Sequence, residues 1–336
     1  MDPLTQGALG AALPLATRRR AGAVAAGALG FVAGMAADLD VLIRSDLDTL
    51  LYLQYHRQFT HSLIFIPVGA LITAAVLYLP FRRWMGISFL TAWLFCALGY
   101  GTHGLLDAAT SYGTVLFWPF SDTRVAWSII SIIDPLFTLP VLALAVTGMI
   151  RRNGRWAVAA LAWAAVYLSL GVWQHQNARA MGADLAASRG HTPLRMEVKP
   201  SFGNLLVWKV IYATPDRYYV DAVRAGYEPR VYPGASIARL VLARDFPWLD
   251  PAWAQARDIE RFRHFSDGFI ARDPDRSDRI IDLRYSLSPN QIAALWSIRL
   301  DPDGGPDAHA RFETHRGDAR RRLAEVWRML WEKEGG

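Results

Sequence analysis

Residues 86–107 read GISFLTAWLFCALGYGTHGLLD. The run is apolar over the roughly 20 residues that a helix needs to cross a bilayer. It ends on two side chains that lipid does not tolerate alone, His103 and Asp107. Spaced i, i+4 on a helix, they lie one turn apart and point the same way. Working outward, apolar runs recur at 21–37, 62–80, 127–150 and 156–174, which together predict five spanning helices. A shorter stretch at 4–17, broken by Gly10 and Pro14, reads as a re-entrant or tilted helix. Gly27, Gly30 and Gly34, set among alanines, predict a helix packed closely on its neighbours.

Beyond His175 the pattern changes: charge density rises, and Pro, Gly and Asp recur. The fold class is therefore an α-helical multi-pass membrane domain, 1–176, followed by a soluble α+β domain, 177–336. Leu205–Ala213 and Arg217–Ala225 are rich in Val, Tyr and other strand formers and flank Pro215-Asp216, which predicts a hairpin. Further strands are expected near 267–272, 278–286 and 294–300. Helices are expected over Pro251–Phe265 and Ala308–Trp331. No nucleophile elbow, phosphate loop or cysteine pair occurs in this half, which suits a lid or recognition domain better than a second catalyst.

Whole-chain averages conceal this division: 52% hydrophobic and 20% charged residues with a mean hydropathy of +0.14 look soluble. The net charge of +6 and pI near 9.6 raise the possibility of nucleic acid. Much of the excess, however, is arginine at the ends of apolar runs, and no nucleic-acid-binding signature accompanies it, so no such partner is expected. The single cysteine, Cys96, lies inside an apolar run and reads as an inert filler. The N-terminus does not read as a cleavable signal, because Arg18, Arg19 and Arg20 follow its apolar stretch instead of preceding it.

The arginines also set an orientation. One set of gaps holds Arg18, Arg19, Arg20, Arg82, Arg83, Arg151, Arg152 and Arg155; the alternate set holds Arg44, Arg57 and Arg124. Eight against three puts the first set in the cytoplasm. The second set, and the C-terminal domain after five crossings, then lie on the non-cytoplasmic side.

Six candidate ligands fall at that second face. Asp38 and Asp40 stand where the first long helix ends, His56 and His61 flank the start of the next, and His103 and Asp107 close the decisive run. Imidazoles with carboxylates form a borderline donor set suited to Zn, with Mn or Fe as alternatives. Any one of the three motifs has a plain reading as interface polarity, but three arriving at one face predict a divalent-metal site. Asp38 and Asp40 are also candidates for the general base, and Arg57 for stabilising charge on an anionic substrate. Asp134, ahead of Pro135 in an apolar run, either supports a ligand from behind or marks a kink. His175 is a weaker extra candidate, and His191, His264, His309 and His315 read as surface residues.

The opening Met1-Asp2-Pro3-Leu4-Thr5-Gln6-Gly7, the Asp38-Leu39-Asp40 step, His56-Arg57-Gln58-Phe59-Thr60-His61-Ser62 and Gly101-Thr102-His103-Gly104-Leu105-Leu106-Asp107 resemble the YdjM-like family. Its members are described as LexA-binding, inner-membrane, metal-dependent hydrolases. The resemblance covers the membrane half, and Asp282-Leu283-Arg284-Tyr285 is similar to the soluble tail of some longer members. It implies a distant relation to zinc-dependent phospholipase C and P1-type nucleases, whose helical sites bind zinc through His and Asp and cleave phosphoesters. Many members carry His where this chain has Gln6, so the N-terminal segment is not expected to ligate the metal.

Three functions are compatible with these residues. A membrane-bound hydrolase acting on a lipid-linked or phosphoester substrate is favoured, because the ligands gather at helix ends. A divalent-metal transporter would place them near the bilayer midplane. A scaffold or binding protein would use the metal to brace its fold.

Overall fold

Ser88 opens the decisive helix: its side chain accepts the amide of Thr91 at 3.2 Å, and the chain is helical over Phe89–Ala109. The computed structural model describes residues 1–18, 22–315, 317 and 319–332; Arg19 and Arg20 of the first arginine cluster and the last four residues lie outside them. In chain order the N-terminal helices are α1 (Pro3–Ala16), α2 (Ala23–Ala36), the short α3 (Leu51–Tyr55), α4 (Ile66–Met85), α5 (Phe89–Ala109), α6 (Pro135–Ile150) and α7 (Gly154–Ser188). Four stretches among the described residues are long and apolar enough to cross a membrane: Ala23–Leu42, Leu63–Arg83, Phe89–Ala109 and Gly154–Ser188.

The expected fifth span, 127–150, is shorter than the sequence suggests. Helix α6 begins only at Pro135, where Asp134 caps it by accepting the amides of Leu136 at 3.1 Å and Phe137 at 3.3 Å. Residues 127–130 instead satisfy the end of α5. The amides of Trp127 and Ile129 donate to the carbonyls of Ala108 at 2.7 Å and Ala109 at 2.9 Å, which the helix itself leaves unpaired. Asp134 also accepts the Tyr167 hydroxyl at 2.8 and 2.9 Å. It is a helix cap, and among the described residues its hydrogen bonds go to Leu136, Phe137 and Tyr167 and none to the His and Asp cluster.

The chain divides into two compact units: Met1–Leu42 with Tyr55–Val172, and Ile43–Gln54 with Trp173–Gly336. The boundary expected at 176/177 falls inside α7, and the unit changes at Val172/Trp173. In the first unit α2 lies against α1, α4 and α5. Glycine allows the close crossing: a Cβ on Gly30 would stand 2.3 Å from the carbonyl oxygen of Gly10, and one on Gly99 2.5 Å from that of Gly30. Facing away from this contact, α4 exposes Val68, Leu71, Ile72, Val76 and Leu79, an apolar surface that suits lipid and not water.

The second unit carries two antiparallel four-stranded meanders separated by helices. The first is β1 (Arg195–Pro200), β2 (Val207–Ala213), β3 (Arg217–Arg224) and β4 (Arg230–Ala238), with the expected hairpin between β2 and β3. The short α8 (Leu242–Asp245) and α9 (Ala254–Phe265) lead to β5 (Ile270–Arg272), β6 (Arg279–Asp282), β7 (Trp296–Arg299) and β8 (Arg311–Thr314), followed by α10 (Ala319–Trp331). Ile211 and Val220 of the first sheet share a core with Phe269, Ala271 and Ile281 of the second. The expected helix 308–331 is therefore helical only from Ala319. Its first part alternates as a strand and pairs with β7, Ile298 opposite Phe312.

Candidate metal centre

Three short stretches of the first unit supply the polar groups. Helix α5 carries His103 and Asp107, both wholly buried and on one side. The chain leaving α2 tightens into a 3-10 turn over Ala37–Leu42, which holds Asp38 and Asp40. A second such turn, Phe59–His61, holds His61 and follows Arg57, whose φ of 64° is a left-handed conformation that a long side chain adopts only when its surroundings fix it. Those surroundings are visible: the Arg57 amide donates to Asp40 Oδ2 at 2.9 Å, and its carbonyl accepts the Val115 amide at 2.9 Å. Gly104 allows this segment to lie on α5, because a Cβ there would meet the His61 carbonyl oxygen at 2.3 Å.

The imidazoles are oriented from behind. His103 Nδ1 donates to the carbonyl of Gly34, on α2, at 2.5 Å. His61 Nδ1 donates to Thr60 Oγ1 at 3.0 Å, and the Thr60 hydroxyl donates in turn to Asp40 Oδ2 at 2.8 Å. Bonds at both Nδ1 atoms select the tautomer whose Nε2 presents a lone pair. The two Nε2 atoms meet at 2.9 Å. Asp38 Oδ1 is 3.4 Å from each, and Asp107 Oδ2 is 3.2 Å from that of His61 and 3.4 Å from that of His103. For comparison, a tetrahedral ion with arms of about 2.0–2.1 Å separates its ligands by roughly 3.3–3.4 Å.

Asp107 supports the same reading. Its Oδ1 accepts Gln6 Nε2 at 2.9 Å and pairs with the Met1 amine. Its Oδ2, buried, accepts no hydrogen bond among the described residues and faces the Arg57 Nε at 3.2 Å as well as the two imidazoles. A buried carboxylate oxygen turned on two imidazole lone pairs fits a cation. The electrostatics agree. Burial alone would lower the His61 pKa, but the carboxylates of Asp107, Asp38 and Asp40 outweigh it and raise it to about 10. The position favours positive charge, whether carried by a proton or by a metal ion. Asp38, His61, His103 and Asp107 thus form one group that could hold a metal, and Asp38, Asp40 and His56 form another.

Comparison with known proteins bears on what such a site belongs to. Residues 1–178 match the family model of the YdjM inner membrane protein. The chain belongs to that family. An uncharacterized protein of Bacillus subtilis, YfhP, is 32% identical over 108 residues, 32% of each chain. The Escherichia coli inner membrane protein YbcI is 36% identical over 81 residues, 23% of this chain and 44% of its own length. The matches thus span less than half of either relative. No solved structure matches the chain. As a YdjM family member carrying four long apolar helices, it is a membrane protein.

All the candidate residues named from the sequence lie in this YdjM region, and the structure draws them together unequally. His61, His103, Asp107 and Asp38 converge, whereas His56 turns aside to bind Asp40, Nδ1 to Oδ1 at 2.7 Å. Burial lowers the pKa of His56 against the pull of that carboxylate. Asp40 is already engaged, since its oxygens take His56, the Arg57 amide and the Thr60 hydroxyl. Arg57 does not stand open to a substrate: its Nε lies 3.2 Å from Asp107 Oδ2, its Nη1 donates to Thr110, and its guanidinium rests on the Tyr112 ring at 4.5 Å. His175 lies in the other unit, its ring against Trp208. Sequence reasoning missed Gln6, Thr60 and the Gly34 carbonyl as supports. A buried Gln within an otherwise apolar N-terminal segment is the signal that could have found the first of them.

Proposed function

We propose that this protein is a membrane-bound, metal-dependent hydrolase whose ion is held by His61, His103, Asp107 and Asp38. The convergence of two imidazole Nε2 atoms and two carboxylate oxygens, at separations of 2.9–3.4 Å, carries this reading. Zinc suits the donor set best. A divalent ion supplies Lewis acidity there and lowers the pKa of water. Asp40 orients His61 through Thr60 and fixes His56. Asp38 has a side chain 18% exposed where those of the other three are fully buried, so the site opens on its side. The Asp38 carboxylate oxygen that is not turned on the imidazoles is the one placed to take a proton from an attacking water. Arg57 partners Asp107 and balances its charge.

Ligands at helix ends argue for a substrate at the lipid–water boundary, and the phosphoester of a lipid headgroup or a lipid-linked group fits that position. Purified protein in nanodiscs, loaded with zinc, is expected to hydrolyse members of a phosphoester panel that includes phospholipids. Chelation should abolish the turnover and added zinc should restore it. Absence of turnover across the panel, with zinc bound, would favour a structural metal or a transporter.

The arginine distribution supports an orientation in which the site and the C-terminal domain are non-cytoplasmic. The bond from Gln6 to Asp107 puts the start of the N-terminal segment at the same depth as the site. A periplasm-dependent reporter fused after Gly336 should be active and a cytoplasm-dependent one silent; the reverse pattern would place the site inside.

A further inference from the structure

The loop between α5 and α6 carries a turn that water does not suit. In Phe117-Trp118-Pro119-Phe120, Phe120 is 83% exposed and Phe117 52%. The turn is closed by its own backbone, the amides of Phe120 and Ser121 both donating to the Phe117 carbonyl, at 2.8 and 3.2 Å. Behind it the loop is pinched where Thr114 and Val125 exchange amide-to-carbonyl bonds of 3.0 and 2.8 Å. Two large rings are thus presented outward on an ordered turn, which marks a surface that meets something other than water.

The neighbours of the turn say what that is. Leu63 opens the span Leu63–Arg83 and donates its amide to the Leu116 carbonyl at 3.0 Å, so Phe117 adjoins the residue bonded to the start of that span. From there the exposed Ile64 leads into Val68, Ile72 and Val76, a row at i, i+4 spacing on the lipid-facing side of α4. The apolar surface of the turn therefore continues the surface that lipid already covers. Trp127, also exposed, is fastened to the end of a second span: its amide donates to the Ala108 carbonyl at 2.7 Å, where Phe89–Ala109 closes. Aromatic side chains at the ends of two packed spans stand where the headgroups of a bilayer begin.

The same loop grips the segment that leads to His61. The Val115 amide and the Thr114 hydroxyl donate to the Arg57 carbonyl at 2.9 and 3.2 Å, and Arg124 Nη2 donates to the His56 carbonyl at 2.9 Å. All of these groups belong to the first unit. We infer that the 117–120 turn is an interfacial anchor: Phe117 and Phe120 lie among the headgroups and upper acyl chains of the leaflet that meets the Leu63 end of α4. Bonded to the His56–Arg57 backbone, the turn holds the metal centre at headgroup depth. A lipid then presents its phosphoester to the site while its tails stay in the bilayer. That last step rests on the hydrolase reading above; the anchor does not.

The test uses the full chain in nanodiscs of phosphatidylglycerol and phosphatidylcholine. With Cys96→Ala removing the other thiol, bimane attached at Phe120→Cys reports the depth of the turn. Nitroxides on the headgroup or high on the acyl chain are expected to quench it strongly, and a water-soluble nitroxide weakly. Quenching by the soluble nitroxide alone would put the turn in water. Protection from every nitroxide would mean that protein covers it, whether the second unit, another copy or a partner. Either result would overturn the anchor. For activity, Phe117→Ser combined with Phe120→Ser should lower turnover of the bilayer lipids about 10-fold. Turnover of bis-p-nitrophenyl phosphate, a soluble phosphodiester, should not change, and Phe120→Trp should preserve both. Unchanged lipid turnover in the double variant, or equal losses on both substrates, would overturn the link between turn and substrate. A wild type inactive on both substrates, its bimane still quenched from the lipid, would overturn the hydrolase reading and leave the anchor standing.

Discussion

His103→Ala is expected to remove nearly all bound zinc from the purified protein while leaving it folded in the membrane. Three observations set the size of the effect. His103 Nε2 is one of four converging donor atoms, its ring is wholly buried, and its Nδ1 is pinned to the Gly34 carbonyl. Loss of groups that merely orient ligands costs about 10–100-fold, and a direct ligand should cost at least the upper end of that range. Packing should survive, because α5 is held to α2 by backbone approach at Gly99 and Gly30, a turn deeper than the imidazole. Metal content by elemental analysis, read beside the helical circular dichroism of each protein, measures this. Zinc retained at the wild-type level would mean that His103 is a buried structural histidine bonded to Gly34 and nothing more.

Asp38→Asn should separate the ion from the chemistry. The amide keeps a ligating oxygen and the shape of the side chain, so zinc should remain bound. It cannot accept a proton, and phosphoester turnover is expected to fall by about 100-fold or more. Asp40→Asn should behave differently. The Asp40 oxygens take the Thr60 hydroxyl, the Arg57 amide and His56, and an amide nitrogen would set a donor against donors. That conflict costs about 1–3 kcal/mol, so the second variant should lose thermal stability as well as activity. Zinc content, melting temperature and turnover for both proteins give the comparison. Full turnover in Asp38→Asn would exclude that residue as the base, and equal melting temperatures for the two variants would contradict the orienting role of Asp40.

The parts of this molecule that could be read from the sequence are those governed by local periodicity. His103 and Asp107 could be paired in advance because helical spacing alone puts them on one side. Asp38, His61 and His103 could be placed at one end of the bundle from the alternation of apolar runs. The division of labour among them could not. Nothing in the spacing says that Asp40 faces His56 while Asp38 faces the two Nε2 atoms, since that follows from the 3-10 turns and from the left-handed backbone at Arg57. Hydropathy likewise overran the start of α6, because residues 127–130 serve a different purpose: their amides bond to the end of α5.

In the second unit the hairpin of β2 and β3 announced itself through its strand formers and Pro215-Asp216. Strand β4 was hidden by Pro233 and Gly234 in its interior, residues that usually argue against a strand. Strand β1 was hidden by Arg195, Glu197 and Lys199, and its pairing with β2 puts Lys199 opposite Lys209. The ion pair of Arg261 on α9 with Asp48 was beyond any reading of local pattern, because Asp48 lies more than 200 residues earlier in the chain.

The proposed function requires that four side chains, His61, His103, Asp107 and Asp38, hold an ion. The most direct measurement is the metal content of the wild-type protein, purified gently from membranes without chelator and without an immobilised-metal column. Zinc close to one ion per chain, with X-ray absorption showing nitrogen and oxygen neighbours and no sulfur, is the result expected. A chain that carries no divalent metal, and takes none up when zinc is supplied, would contradict it.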